Sequence, residues 1–439
     1  MNFSEAEAYL FSLGNEVETM KLGLENITAL LAELGDPQTR YKKVQVAGTN
    51  GKGSVCAFLD SICRVADVRT GLYTSPHLIS ITERIKIDGV DISDDEFARL
   101  ATRVREVSES LLSEGGLAYR PTFFEQVTAI ALLAFAEAGA ELAILETGLG
   151  GRYDAVTAAN AEIAAITRID LDHQEYLGET IEEIAAEKAA IIHDGSKVVL
   201  LHQDERVERI LVGRCREVGV EPVWATENIS ASRVDEDPSF KFHLVTLTTE
   251  SDNYSRIEPH IRGRHQFQNM ALAAGLAEVL VDEGFRISNL NVCIGLGTAE
   301  HGGRLEMIAP DILVDGAHNP GGAAALLEFL DEFHNGRVVT LVFGAMRDKA
   351  ITEIAEILWP RAESIILTQP SNSRAVTADE LARFAPSTVD VREVTKIDTV
   401  AKAIEKAKQI TPQDGLILFT GSLYLVGEVK KILQTGSAI

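Results

Sequence analysis

Residues 44–54 read VQVAGTNGKGS, a β-branched run entering a glycine-rich turn that ends in a lysine and a serine. This spacing suits phosphate chemistry. The glycines let backbone N–H groups converge on phosphate oxygens. The following helix adds partial positive charge at its N-terminus, and Lys52 adds a full one. ATP is the expected ligand, with Ser54 placed to ligate a phosphate-bound Mg²⁺. The match to G-x-x-x-x-G-K-[ST] is imperfect, because Gly53 separates Lys52 from Ser54 and no glycine stands five residues before Gly51. The competing reading is a turn that merely joins a strand to a helix. Val55, Phe58, Leu59 and Ile62 fall on one face of that helix.

Three further residues carry chemical potential. Glu146 ends the run ELAILE and precedes Thr147-Gly148-Leu149-Gly150-Gly151. An acid at a buried strand tip resembles a Walker-B arrangement that holds Mg²⁺ beside a phosphate loop, and the glycines favour close ligand approach. Asp172 and His173 stand just beyond another strand, where a histidine serves as metal ligand, acid or base as readily as in a structural role. Thr180 and Glu183 form a capping box for the next helix. On that helix Lys188 shares the apolar stripe of Ile181, Ile184, Ala185, Ile191 and Ile192, with no acid at i−3 or i−4. A buried lysine must be neutralised, paired or modified. From the residues alone, snorkelling of the ammonium to the surface is the favoured reading.

Toward the C-terminus, ILVDGAHNP places Asp315, His318 and Asn319 after a strand, where an Asp is suited to ribose hydroxyls. Gly302-Gly303-Arg304 lies just upstream, and His265-Gln266-Phe267-Gln268-Asn269 opens a helix running to about Glu283. Taken singly, Asp-Gly and Asn-Pro read better as turn chemistry. Together the motifs suggest a nucleotide clamped between two domains.

The elements that must position these residues follow one rhythm: a short β-branched run, a glycine-rich turn, then a helical pattern. The runs Val44–Ala47, Leu142–Glu146, Ile163–Thr167, Ile312–Asp315, Val338–Gly344, Ser364–Thr368 and Leu416–Thr420 predict strands. Strands alternating with helices imply parallel α/β sheets with ligands at the C-terminal strand ends. Residues 226–262 are polar and read as a peripheral β-rich segment with a strand at Lys241–Thr248. The 439 residues suggest two or three domains. The glycine-rich stretch CIGLGTAEHGGR places the boundary near 295, giving domains 1–295 and 296–439.

Composition narrows the function classes. The chain is 46% hydrophobic and 24% charged, as globular proteins are. Its net charge of −25 argues against broad binding to nucleic acid or an anionic membrane, though a local basic pocket still admits a small anion. No run of about 18 apolar residues predicts a membrane span. The acidic start MNFSEAEAYL is unlike a secretory signal. The four cysteines form no C-x-x-C pair, so neither a zinc ribbon nor a disulfide framework is indicated, and a reducing cytoplasm is the expected compartment.

The ordered motifs resemble the dihydrofolate synthase/folylpolyglutamate synthase family of the Mur ligase superfamily. The resemblance runs through nearly the whole chain: GTNGKGS at 48–54, TSPHL at 74–78 with ERI at 83–85, and ETGLGGRYDA at 146–155. It continues through LDHQEYLGETIEEIAAEKA at 171–189, HQFQN at 265–269, GGRLE at 302–306, DGAHNP at 315–320 and TGSLYLVGEV at 420–429. The phosphate loop comes near residue 50, which leaves little room for the extra N-terminal UDP-binding domain of peptidoglycan Mur ligases.

The resemblance implies a P-loop central-type domain with a mostly parallel sheet and a small β segment, then a C-terminal Rossmann-like domain. It implies that Asn50, Gly51, Lys52, Gly53 and Ser54 cradle ATP phosphates, with Asn269, Arg304 and Asp315 as further nucleotide contacts and His318 close by. Ser75, Glu146 and His173 match the family's Mg²⁺ ligands. Lys188 matches a carbamylated lysine, which reverses the snorkelling preference. Thr122, Phe124 and Asp154 match positions that hold the pterin in bifunctional members, and the TSPHL loop borders the folate site. The chain departs from the family pattern at His301-Gly302, where Trp-Pro is usual, at Tyr153 for Leu, at Val156-Thr157 for Thr-Asn, and at Ala190 for Gly.

The implied reaction is ATP-dependent amide formation in which L-glutamate is added to dihydropteroate and to the glutamate tail of tetrahydrofolates through an acyl phosphate. Lys52, Lys188 and His173 are the catalytic candidates, Mg²⁺ the cofactor and ATP a co-substrate, in a monomeric cytoplasmic enzyme. Only one of the two activities, or another Mur-like carboxylate–amine ligase, is the near alternative. A P-loop ATPase switch that binds partners and makes no amide is the distant one.

Overall fold

The computed structural model describes residues 1–14, 23–237, 240–389 and 394–435. The chain forms two compact units. The first comprises Met1–Ser230, Val245–Glu258 and Gln268–Ala299; the second comprises Ala231–Leu244, Pro259–Phe267 and Glu300–Ile439.

The first unit is built on eight strands: β1 (Lys42–Ala47), β2 (Thr70–Tyr73), β3 (Ile85–Ile87), β4 (Val90–Asp91), β5 (Leu142–Glu146), β6 (Ile163–Ile166), β7 (Lys197–Leu200) and β8 (Pro222–Trp224). Their order is β4-β3-β2-β5-β1-β6-β7-β8. The pairs from β2 through β8 are parallel, and only β3 and β4 run antiparallel at one edge. Runs such as LAILE and IAAI are buried at every residue, as strands covered on both faces must be. The parallel register sets Val46 opposite Glu146, Ala47 opposite Ile166 and Tyr73 opposite Leu145. The loops that leave β1, β2, β5 and β6 therefore emerge side by side at one sheet edge.

The helix Lys52–Val65 was expected to bury one face, but Gly53 through Cys63 are all buried. A second helix, Asn289–Thr298, closes over its far side. There a Cβ on Gly295 would lie 2.4 Å from the Ile62 Cα, so only glycine permits this backbone approach. The helix that carries the phosphate loop is thus fixed all round.

The polar segment near 226–262 contains β9 (Ile229–Asp237), β10 (Phe240–Thr248) and β11 (Asn253–Ile257), in the order β11-β10-β9.

The second unit carries β12 (Glu306–Ala309), β13 (Ile312–Val314), β14 (Val339–Phe343), β15 (Ser364–Thr368), β16 (Val394–Ile397) and β17 (Leu416–Thr420), ordered β12-β13-β17-β14-β15-β16. All its pairs are parallel except β12 with β13. Its core includes Leu326, Phe343, Trp359 and Leu418, with the Phe343 and Trp359 rings edge to face at 5.6 Å.

All eight strands expected from the sequence are present, the one at Lys241–Thr248 as β10. The ones not anticipated include short edge strands such as Val90–Asp91, which is exposed, and Glu306–Ala309, which is half-buried. Such strands lack the apolar run that marks a central strand.

Candidate active site

The phosphate loop leaves β1 at Gly48 and enters the helix at Lys52, with Gly51 as its cap at φ +94°. The loop after β6 holds its first half. Thr49 and Asn50 N–H both donate to the Arg168 carbonyl at 2.8 and 3.2 Å. The Thr49 hydroxyl donates to the Asp170 carbonyl at 3.0 Å, and the Asn50 amide to the Asp170 carboxylate at 2.9 Å. Sequence reasoning assigned Asp170 no role; no spacing signal identifies it, because it acts on a residue 120 positions away. Gly48 has φ +150°. A Cβ there would fall 1.8 Å from the buried Thr167 hydroxyl and 3.2 Å from the Thr167 backbone carbon.

Lys52 folds back onto its own loop, donating to the Gly48 carbonyl at 3.1 Å and to that of Thr49 at 3.3 Å. Lys188 meets it there. Its side chain is buried, not snorkelled, and its Nζ donates to the same Gly48 carbonyl at 2.8 Å. The snorkelling expectation fails because the helix Ile181–Ala189 packs its apolar stripe inward and carries the lysine with it. Burial pushes the Lys188 amine down to about 7, the nearby Lys52 ammonium pushes it the same way, and Asp172 and Asp154 act against them. Two amines on one carbonyl form a compact positive locus at the mouth of a phosphate loop, one of them poised between charged and neutral near physiological pH.

Asn269, on the helix His265–Asp282, is buried, and its Oδ1 lies 2.4 Å from where a Gly51 Cβ would stand. The structure thus brings Asn269 to the loop as expected. Glu146 is buried at the tip of β5, and its Oε2 accepts the Ser75 N–H at 3.0 Å, so two of the three expected metal ligands adjoin. His173 caps the short helix Gln174–Leu177 at φ +51°, with its Nε2 3.9 Å from Asp172 Oδ1. Among the described residues no group of three or more His, Cys, Asp or Glu side chains clusters as a metal site.

Two of the three expected pterin residues, Phe124 and Asp154, meet at Gly148. A Cβ on Gly148 would meet the Phe124 ring at 2.6 Å and Asp154 Oδ2 at 3.2 Å. Asp154 is buried and accepts N–H bonds from Leu149 at 2.8 Å and Val156 at 3.0 Å. Burial raises its carboxyl to about 6, against the lowering effect of those backbone bonds and of Lys52. Thr122 caps the helix Phe123–Ala138 in a capping box with Glu125. The TSPHL loop is held by Glu83, whose carboxylate accepts N–H bonds from Leu78, Ile79 and Ser80 at 2.8, 2.9 and 2.9 Å. Glu83 and Glu125 were given no role from sequence, yet S-x-x-E at 80–83 and T-x-x-E at 122–125 are capping-box signatures that flag both.

In the second unit, Arg304, Asp315 and His318 form their own cluster at the end of β13. Asp315 is buried, and its two carboxylate oxygens accept Leu305 N–H at 2.8 Å and Ala317 N–H at 2.9 Å. Burial raises its carboxyl, while Arg304 lowers it. His318 Nδ1 lies 2.8 Å from the Gly316 carbonyl.

A lysine-bearing phosphate loop on a buried parallel sheet, followed by a second parallel-sheet unit, defines a nucleotide-handling α/β protein. Residues 46–277 match the Mur ligase middle domain, and residues 303–423 match the Mur ligase glutamate ligase domain. The Bacillus subtilis dihydrofolate synthase/folylpolyglutamate synthase is 36% identical over 94% of this chain and 96% of its own. A Halobacterium salinarum protein named a probable bifunctional folylpolyglutamate synthase/dihydropteroate synthase is 34% identical over 98% of the chain, which spans about half of its length, 51%. A crystal structure of Mycobacterium tuberculosis folylpolyglutamate synthase, complexed with ADP and AMPPCP, superposes with a TM-score of 0.89 at 30% identity over 98% of each chain. The chain belongs to the Mur ligase family, in its dihydrofolate synthase/folylpolyglutamate synthase branch.

Proposed function

We infer that this chain is an ATP-dependent ligase that adds L-glutamate to dihydropteroate and to the glutamate tail of tetrahydrofolates. The observation that carries the reading is the convergence of Lys52 and Lys188 on the Gly48 carbonyl, with Asn269 against Gly51. In the reaction, a substrate carboxylate oxygen attacks the γ-phosphorus of ATP, giving an acyl phosphate and ADP. The amine of glutamate then attacks the acyl carbon, losing a proton, and phosphate leaves.

Lys52 leaves the loop carbonyls for the transferring phosphoryl group and offsets its charge, while Asn50, Gly51, Gly53 and Ser54 cradle the phosphates. Asn269 is assigned a nucleotide contact beside the phosphate loop, and the family resemblance assigns Arg304, Asp315 and His318 as nucleotide contacts as well. The oxygen donors of Ser75 and Glu146 suit Mg²⁺, which takes one or two carboxylates plus phosphate oxygens and water; Ser75, Glu146 and His173 would hold it. When bound, Mg²⁺ neutralises phosphate charge. Lys188, buried and shifted toward neutrality, is assigned as a carbamylation site: its neutral amine adds to CO₂ and releases a proton. Thr122, Phe124 and Asp154 hold the pterin. The functional division is 1–295 and 296–439, the active form a monomer, and the compartment the cytoplasm. No helix among the described residues is long and apolar enough to cross a membrane.

The test is phosphate release from ATP and Mg²⁺ with L-glutamate, comparing dihydropteroate, tetrahydrofolate and no pterin, with products weighed by mass spectrometry. Both pterins should support glutamate-dependent turnover and gain one glutamyl mass. Turnover with one pterin trims the reading to a single activity. Pterin-independent hydrolysis without mass gain overturns it in favour of an ATPase switch.

A further inference from the structure

Beyond Ile166 the chain of β6 runs on as the segment Thr167–Asp170, with the phosphate loop on one side and Gln203 on the other. On the first side the Arg168 carbonyl accepts the N–H groups of Thr49 and Asn50, and the Asp170 carboxylate accepts the Asn50 amide. On the second side β7, the parallel neighbour of β6, has ended at Leu200. The Gln203 carboxamide continues in its place. Its Oε1 accepts the Ile169 N–H at 2.8 Å, and its Nε2 donates to the Thr167 carbonyl at 3.4 Å. Only this orientation of the amide satisfies both partners, since a peptide N–H only donates and a carbonyl only accepts. In a parallel ladder a residue donates to the residue before its partner and accepts from the residue after it. Lys197 follows that pattern at the start of β7, donating to the Glu162 carbonyl at 2.9 Å while pairing with Ile163. Gln203 follows it for Arg168 with a side chain. Its own backbone is tied down, because the Gln203 N–H donates to Glu208 Oε1 at 2.8 Å, and the adjacent His202 ring stacks on Trp224 at 4.2 Å.

We propose that Gln203 is a positioning residue for ATP: its carboxamide fixes the peptide plane whose carbonyl holds Thr49 and Asn50 in the phosphate-binding shape. This rests on reading residues 50–54 as the cradle of the ATP phosphates. The Arg168 carbonyl and the Ile169 N–H belong to one planar peptide unit and point in opposite directions. Gln203 grips the N–H end, and the phosphate loop hangs on the carbonyl end. A rotation of that plane about its flanking bonds therefore moves both ends together. Ile169 is buried, so loss of the carboxamide leaves its N–H without an acceptor, and the plane must turn to find one. The Arg168 carbonyl then turns away from Thr49 and Asn50, and the N–H groups that should face the phosphates lose their aim.

The experiment measures ADP binding to the full chain by calorimetry, and KM for ATP and for dihydropteroate in the ligase assay. The variants are Gln203→Met, which keeps the length and removes both bonds, Asp170→Ala, and the two combined. In Gln203→Met the ADP dissociation constant and the KM for ATP should rise at least about threefold, with the KM for dihydropteroate changed less than about twofold. A variant that is merely less stable has fewer active molecules, which lowers apparent kcat and leaves the KM for ATP where it was. The double variant should lose less ADP affinity than the product of the two single losses, because both changes act on Asn50 through one segment. ADP affinity within about threefold of wild type in folded Gln203→Met overturns the proposal, as do equal rises in both KM values or losses that multiply. Should Gln203→Met not fold, Gln203→Glu decides by the same ADP threshold, since it sets an oxygen against the Thr167 carbonyl. If wild type binds no ADP, the reading of the loop falls and the proposal with it. If wild type and Gln203→Met bind ADP alike, the proposal alone falls.

Discussion

Replacing Lys188 with Met keeps the length of the side chain and removes its amine. In the unfolded chain that amine titrates near 10.5; in the folded chain, burial first and Lys52 second bring it to about 7. The difference corresponds to about 5 kcal/mol of disfavour for the charged form. The bond to the Gly48 carbonyl returns about 1–2 kcal/mol, which leaves Lys188→Met about 3 kcal/mol more stable than wild type at pH 6. Below about 7 both states hold the proton and the whole penalty applies. Between about 7 and 10.5 the unfolded chain binds more protons, so wild-type stability rises relative to the variant by about 1.4 kcal/mol per pH unit. Above 10.5 the penalty is gone, and the gap closes or reverses before that pH. Urea unfolding followed by far-ultraviolet circular dichroism, at fixed pH values from 6 to 10 in CO₂-free buffer, reads this directly. A stability difference that does not change over that range refutes the argument. Ligase turnover should fall at least about 100-fold in the same variant.

Lys52→Met should slow turnover by at least about 100-fold; it should also raise the pH window of Lys188, because it removes the second cause of the depressed amine, and the same unfolding series detects the shift. Gly48→Ala forces a side chain onto φ +150° and drives its Cβ to 1.8 Å from the Thr167 hydroxyl; it should cost about 2–4 kcal/mol of stability and weaken ADP binding in calorimetry. Thr167→Ala should relieve this only in part, since the Thr167 Cβ would still lie at 2.9 Å. For Asp154, raised to about 6, the stability contribution falls as pH rises from 3.8 to about 6 and is level above. The KM for dihydropteroate should therefore climb as pH drops below about 6, and Asp154→Asn should flatten that profile.

The alternation of apolar runs and glycine turns determined the parallel α/β plan, because strands buried on both faces must be continuously apolar. The spacing GTNGKGS likewise determined a phosphate loop, because its backbone N–H groups and lysine are local to one turn. The capping box Thr180–Glu183 was equally legible, being a contact between residues three apart. What the sequence could not decide were meetings between distant segments. Lys188 reads as an awkward cation on an apolar stripe; only the packing of its helix against the sheet turned that into a buried amine on the Gly48 carbonyl, 140 residues away. Asp170 reaches Asn50, Glu146 reaches Ser75, and Asn269 reaches Gly51 in the same manner. Periodicity and turn chemistry report the near-neighbour forces that choose an element. The burial that lowers the Lys188 amine and raises the Asp154 carboxyl exists only when separate strands align in register and exclude water from the loops at their ends.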